Sequence, residues 1–179
     1  MGSAGRGKKL PDVLLQKARE TGKEVAKNGC ILVTGACMGT PYEAAIGAGE
    51  EKGLVVGFSP ASNLTEHLNS PICYPQIPEA GILIYTGMGK EGRNLMAIKN
   101  CDAVIFAAGS AGTLTEFALA YHMGKVIGLL EGTGGITEKI PEIISNIQKD
   151  TGAILTSDDK PKQLVKKIIG ILRQMEKLN

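Results

Sequence analysis

The chain has 179 residues, 43% hydrophobic and 21% charged, with a net charge of +2, a balance that fits one globular domain over 1–179 with a real core. With no Trp, three Phe and four Tyr, it lacks the concentrated basic face and stacking rings of a nucleic-acid binder, so no nucleic-acid partner is expected. No apolar run nears the roughly 18 residues that span a bilayer, and no signal peptide opens the chain, so no membrane partner is expected and the expected location is cytoplasmic.

Helix and strand signals alternate along the chain. Pro11–Asn28 spaces Val13, Leu14, Ala18, Val25 and Ala26 for one helical face, with Pro11 near the first turn and Gly29 as the stop. Cys30–Thr34 reads as a strand, Pro41–Lys52 as a helix closed by Gly53, and Leu54–Phe58 as the next strand. Residues 59–81 hold several prolines and no periodicity, a long connection of the kind that carries function. Then follow the strand Ile82–Tyr85, the helix Glu91–Asn100, the strand Asp102–Ala108, the helix Leu114–Met123 ended by Gly124, and the strand Lys125–Leu130. A helix within Thr137–Lys149, a short strand Ala153–Thr156 and a terminal amphipathic helix from Pro161 complete the pattern. Its apolar side is Leu164, Ile168, Leu172 and Met175; the lysines opposite read as a solvated face.

Repeated βα units imply a Rossmann-like, three-layer α/β/α fold around a parallel sheet, with ligands outside the carboxyl ends of the strands. Two strand-to-helix turns there are rich in small residues. In Cys101–Glu116 (CDAVIFAAGSAGTLTE) an apolar strand runs into Gly109, Ser110, Ala111, Gly112 and Thr113 and then a helix start. An anion can approach such a backbone closely, met by unpaired N–H groups and the positive end of the helix dipole. The other turn, Gly35–Thr40 (GACMGT), offers Gly35, Ala36, Met38 and Gly39. Neither matches GxGxxG or GxxxxGK[ST], so hydride transfer and NTP hydrolysis lack their motifs. Tight packing explains many such glycines, but two loops at equivalent strand ends favour a nucleotide or sugar-phosphate site.

Cys30, Cys37, Cys73 and Cys101 form no CxxC pair, and only His67 and His122 could join them. Neither a zinc site nor a disulfide framework is expected, and no metal or resident cofactor is called for. Cys37 has no His or base beside it in sequence and reads as a buried or bystander thiol, not a nucleophile.

The order of these pieces resembles the LONELY GUY and molybdenum-cofactor-carrier-like family. The pieces are an early glycine loop, the strand VVGFSP, an Arg one helix before DAVIFAA, and then G-x-x-G-T-L-x-E. Enzymes of that family are phosphoribohydrolases, which cleave cytokinin riboside 5′-monophosphates or AMP to free base and ribose 5-phosphate. Their signature PGGxGTxxE falls on Ala108–Glu116, and their upstream Arg on Arg93. By this resemblance Gly109, Gly112 and Thr113 bind phosphate, and Arg93 and Glu116 are catalytic. Ala108 replaces the Pro, Ser110 the second Gly, and Asn94 the Lys that usually follows the Arg; in these the chain is more like the family's uncharacterised and carrier-like branch. The family also begins with an apolar strand and a glycine-serine turn. Met1–Gly5 resembles that turn, so the first strand is expected to be missing or truncated, with Cys30–Thr34 and Ile82–Tyr85 flanking its place.

Glycosidic cleavage builds positive charge on the ribose, which a carboxylate such as Glu116 can stabilise while orienting water. Arg93 can bind phosphate or stabilise the departing base. Each has a rival role: Thr113-x-x-Glu116 also reads as a capping box, and Arg93 as a surface helix residue. The leading expectation is a nucleoside 5′-monophosphate-binding protein that cleaves its ligand as a phosphoribohydrolase; the alternatives are a non-enzymatic carrier of a phosphorylated cofactor such as the molybdenum cofactor, and a DNA-processing relative disfavoured by charge and aromatics. The expected partner is a small nucleotide or phosphorylated ligand, and the expected assembly a homodimer.

Overall fold

The structure, a computed structural model, describes residues 1–4, 9–73, 81–147 and 149–177. Gly5 of the opening turn and residues 74–80 of the long connection lie outside the described residues. The chain divides into two compact units, Ser3–Ala97 and Met1–Gly2 with Ile98–Asn179.

In Ser3–Ala97 the order is α1 (Asp12–Lys27), β1 (Leu32–Thr34), α2 (Thr40–Glu50), β2 (Val55–Ser59), α3 (Leu64–Asn69) and β3 (Gly81–Tyr85), with α4 (Gly89–Lys99) closing the unit. The strands form one parallel sheet ordered β1-β2-β3, with Thr34 opposite Gly57 and Gly57 opposite Leu83. The strands expected to flank an absent position therefore do not: both pair with β2. Successive right-handed βα units lay their strands side by side, so β2 takes the place between them.

Helices α1 and α2 approach through glycine. A Cβ on Gly22 would overlap the Ala44 carbonyl, and one on Gly47 the Arg19 carbonyl, which explains a glycine inside a helix. Arg19 bridges both Glu43 and Glu50 of α2, and Lys23 adds a 2.7 Å contact to Glu50. The helix is closed by Lys52 in the left-handed region (φ 56°), one residue before the expected Gly53. Beneath them Ala45, Ala48 and Val55 form a small core.

The connection after β2 is not wholly irregular, because α3 lies within it. Asn63 caps this helix, its Oδ1 accepting from the Glu66 N–H at 2.9 Å, while the Glu66 carboxylate accepts from the Ser62 N–H at 2.8 Å. Asn followed three residues later by Glu was a readable start signal, hidden by the surrounding prolines.

The second unit continues with β4 (Ala103–Phe106), α5 (Ala111–His122), β5 (Val126–Leu130), a 3-10 turn (Gly135–Lys139), α6 (Ile140–Ser145), β6 (Ile154–Asp158) and α7 (Pro161–Glu176). Its strands form a parallel sheet ordered β4-β5-β6. All five residues of β5 are buried, as expected of a central strand covered on both faces. Phe106 meets Phe117 of α5 edge to face, with centroids 6.0 Å apart, in a core shared with Ile98, Ile127 and Ile140. Helix α7 buries Leu164, Val165 and Ile168, and Gly128 admits it: a Cβ there would press on Ile168 and Leu164. Met1 and Gly2 run beside the end of β4. The Ala107 N–H donates to the Met1 carbonyl at 3.1 Å, and the Met1 ammonium to the Ile105 carbonyl at 2.7 Å.

Candidate functional site

The candidate residues fall into two groups, one in each unit, and both lie at the carboxyl ends of parallel strands.

The first group is the turn after β1. Gly35, Ala36 and Cys37 are buried, and Ala36 takes a left-handed conformation (φ 51°) with its N–H donated to Thr34 Oγ1 at 3.2 Å. Gly39 is also left-handed (φ 81°). A side chain there would collide with the Ser3 carbonyl, which accepts from Thr40 through its N–H (3.0 Å) and its hydroxyl (3.2 Å). Met38 is half-buried, its N–H bonded to the Ile72 carbonyl at 2.9 Å.

Arg93, from α4, is brought to this turn. It is only 6% exposed, which removes the surface-residue alternative. Its guanidinium occupies the space a Cβ on Gly35 would fill, and Nη2 lies 3.4 Å from the Cys37 sulfur. Its Nε has no hydrogen-bond partner, and no carboxylate among the described residues pairs with it. The Asn94 Oδ1 beside it in sequence is likewise buried without a partner. Of the two readings of Cys37, a buried or a bystander thiol, the structure gives the buried one: it is 5% exposed, its thiol donates to the Gly35 carbonyl at 3.2 Å and it meets the guanidinium.

The second group is the turn from β4 to α5. Ala108 (φ 53°) and Gly109 (φ 90°) are both left-handed, and the Thr113 side chain folds back over Gly109 where a Cβ would stand. Ser110 is the N-cap residue and makes no side-chain cap bond, so Ala111, Gly112 and Thr113 supply the first helical N–H groups. Ser110, Ala111 and Gly112 are exposed, and a Cβ on Gly112 would meet nothing within 4 Å.

Because the helix starts at Ala111, Thr113 is its third residue and not its cap. The capping-box reading of Thr113 and Glu116 is thereby overturned. Glu116 is buried (7% exposed) in the following turn of α5. His122 is exposed at the end of that helix.

A third glycine-rich turn, Glu131–Gly135, escaped the sequence reading although EGTGG directly follows an apolar strand. It grips the second loop from behind. Thr133 Oγ1 accepts from the Ala108 N–H at 2.9 Å, while the Ala108 carbonyl accepts from Thr137 Oγ1 at 2.6 Å and from the Thr137 N–H at 3.2 Å. Both sides of a strained alanine are therefore held. Proline could not stand there, since its φ is fixed near −65° and it has no N–H to give Thr133. The Ala for Pro departure thus marks a different backbone path.

Parallel strands in two sheets, with helices and small-residue loops at the strand ends, define a Rossmann-like three-layer α/β/α protein. The chain belongs to the SLOG cluster4 family, whose model matches residues 1–165. An uncharacterized protein of Archaeoglobus fulgidus is 32% identical over 114 residues, 64% of this chain and 68% of that one. The crystal structure of TM1055 superposes with a TM-score of 0.77 at 26% identity, covering 97% of this chain and 96% of the other. The molybdenum cofactor binding protein of Rippkaea orientalis matches with a TM-score of 0.71 at 26% identity, over 92% and 91% of the two chains. For the molybdenum cofactor carrier protein of Chlamydomonas reinhardtii the TM-score is 0.68 at 26% identity, over 97% and 94%. No helix among the described residues is long and apolar enough to cross a membrane.

Proposed function

We propose that this protein binds a phosphorylated small molecule and holds it unchanged, as a carrier of the molybdenum cofactor class. The observation that supports this best is Arg93, a guanidinium buried against a glycine loop with no carboxylate paired to it among the described residues. A buried cation without a counter-charge is costly, and a ligand anion is the natural complement. The exposed N–H groups at the start of α5 provide a second place for phosphate.

Carriage is preferred to hydrolysis on two grounds. The relatives whose names state a ligand at 26% identity are named for binding or carrying the molybdenum cofactor. The hydrolase signature, moreover, begins with a proline that the Ala108 backbone excludes. Titration calorimetry with molybdenum cofactor released from a molybdoenzyme, beside AMP, tests the reading. The expected result is saturable cofactor binding with the ligand recovered intact, and no free adenine after prolonged incubation with AMP. Release of adenine, abolished by Glu116→Ala, would replace carriage with hydrolysis.

A further inference from the structure

The first glycine loop carries a second chemistry. Cys37 and Cys73 face each other across an isolated antiparallel bridge. The N–H of Met38, one residue after Cys37, donates to the carbonyl of Ile72, one residue before Cys73. That bond, displaced by one residue from each cysteine, is the pattern of a non-hydrogen-bonded antiparallel pair, whose α-carbons ordinarily lie about 4.5 Å apart with the side chains on one face. A disulfide requires α-carbons roughly 4.4–6.8 Å apart, and the ordinary spacing of such a bridged pair falls within that range. Both cysteines are reduced thiols, and both are more than nine-tenths buried, with exposures of 5% and 6%. The Arg93 guanidinium stands 3.4 Å from the Cys37 sulfur, placed to favour its thiolate.

From this juxtaposition we infer that Cys37 and Cys73 are a redox pair that closes to a disulfide under hydrogen peroxide and reopens with a thiol reductant. Cys37 is the attacking sulfur, since the cation lies on its side. Its thiolate attacks one peroxide oxygen, the O–O bond breaks, and the departing hydroxide takes up the proton that Cys37 released, leaving Cys37 as a sulfenic acid and one water. The Cys73 sulfur then attacks Cys37 Sγ; the S–O bond breaks and hydroxide leaves with the Cys73 proton as a second water. Two thiols and one peroxide become one disulfide and two waters, with two electrons passing from the sulfurs to the peroxide. Closure ties the loop that packs against Arg93 to residues 72–73. It also replaces a sulfur that can carry negative charge beside the guanidinium with a neutral one. The inference stands on the cysteine geometry and does not require the carrier reading.

The test uses the full chain carrying Cys30→Ser and Cys101→Ser, so that Cys37 and Cys73 are the remaining thiols. After peroxide treatment, intact mass spectrometry should show the loss of two hydrogens, and alkylation in denaturant should fall from two thiols to none, recovering after reductant. Peptide mapping should place the link between residues 37 and 73. The inference is overturned if both thiols remain alkylatable, if the mass rises by oxygen without a link, or if the link joins two chains. Adding Cys73→Ser should leave Cys37 to accumulate oxygen or stay reduced with no intramolecular link. Circular dichroism of that variant separates loss of the partner sulfur from loss of the fold.

Discussion

The guanidinium of Arg93 stands where a Cβ on Gly35 would be, so the smallness of one residue and the burial of the other are a single feature. Arg93→Gln removes a buried charge that has no carboxylate beside it among the described residues. The unliganded protein should lose little stability, while affinity for a phosphorylated ligand falls roughly 10-fold to 100-fold, the worth of one charged hydrogen bond. Gly35→Ala should lower affinity similarly and destabilise the fold as well. Calorimetric titration and urea unfolding of both variants distinguish the two effects.

Ala108 is held in a conformation that glycine prefers and proline cannot adopt. Ala108→Gly should leave stability unchanged or raise it by up to about 1 kcal/mol, because the left-handed backbone costs an L residue roughly that much. Ala108→Pro, which restores the hydrolase signature, should cost about 3 kcal/mol or more, since it opposes φ and removes the N–H that Thr133 accepts. Denaturant melts should place Ala108→Pro well below the parent and Ala108→Gly at or above it.

The α1 and α2 backbones meet at glycines, whereas Gly170 of α7 has open space around it. Gly22→Ala and Gly47→Ala should therefore each cost about 1–3 kcal/mol through overpacking. Gly170→Ala should stabilise the protein by roughly 0.5–1 kcal/mol through helix propensity. Thermal unfolding of the three variants would refute this if the ordering were reversed.

Hydrogen bonds from Arg19 and then Lys23 hold the Glu50 carboxyl at about 2, below its ordinary 4.5. A lowered carboxylate pKa contributes stability that is present above the ordinary value and lost as pH falls toward the folded one. Stability should therefore decline between pH 4.5 and 2 more steeply in the parent than in Glu50→Gln. The effect is small, because this pair is on the surface, and it should shrink in high salt. Acid titration of the unfolding midpoint at low and high salt reads both signs.

Most of the elements were legible because their causes are local. Apolar runs bounded by glycine marked β4 and β5, and Leu164 and Ile168 marked the buried side of α7. The small-residue turns after β1 and β4 were equally readable, since only small side chains suit those backbones. The strand order was not, because Leu32–Thr34 and Gly81–Tyr85 carry no mark of which neighbour they will pair with. The Thr113 and Glu116 spacing misled for a related reason: the same four residues describe a cap or the interior of a helix, and Ser110 three places earlier decides between them.

What the amino-acid sequence determined by itself was therefore the alternation of helix and strand and the positions where the backbone must be small or left-handed. These follow from side-chain size and period, which each residue carries with it. Only the tertiary structure decided that Arg93 is buried against Gly35, that Thr133 and Thr137 hold Ala108 from both sides, and that Cys37 faces Cys73. Each of those joins residues at least 25 positions apart in the chain, and such separations are closed by packing and strand pairing, which no local propensity encodes.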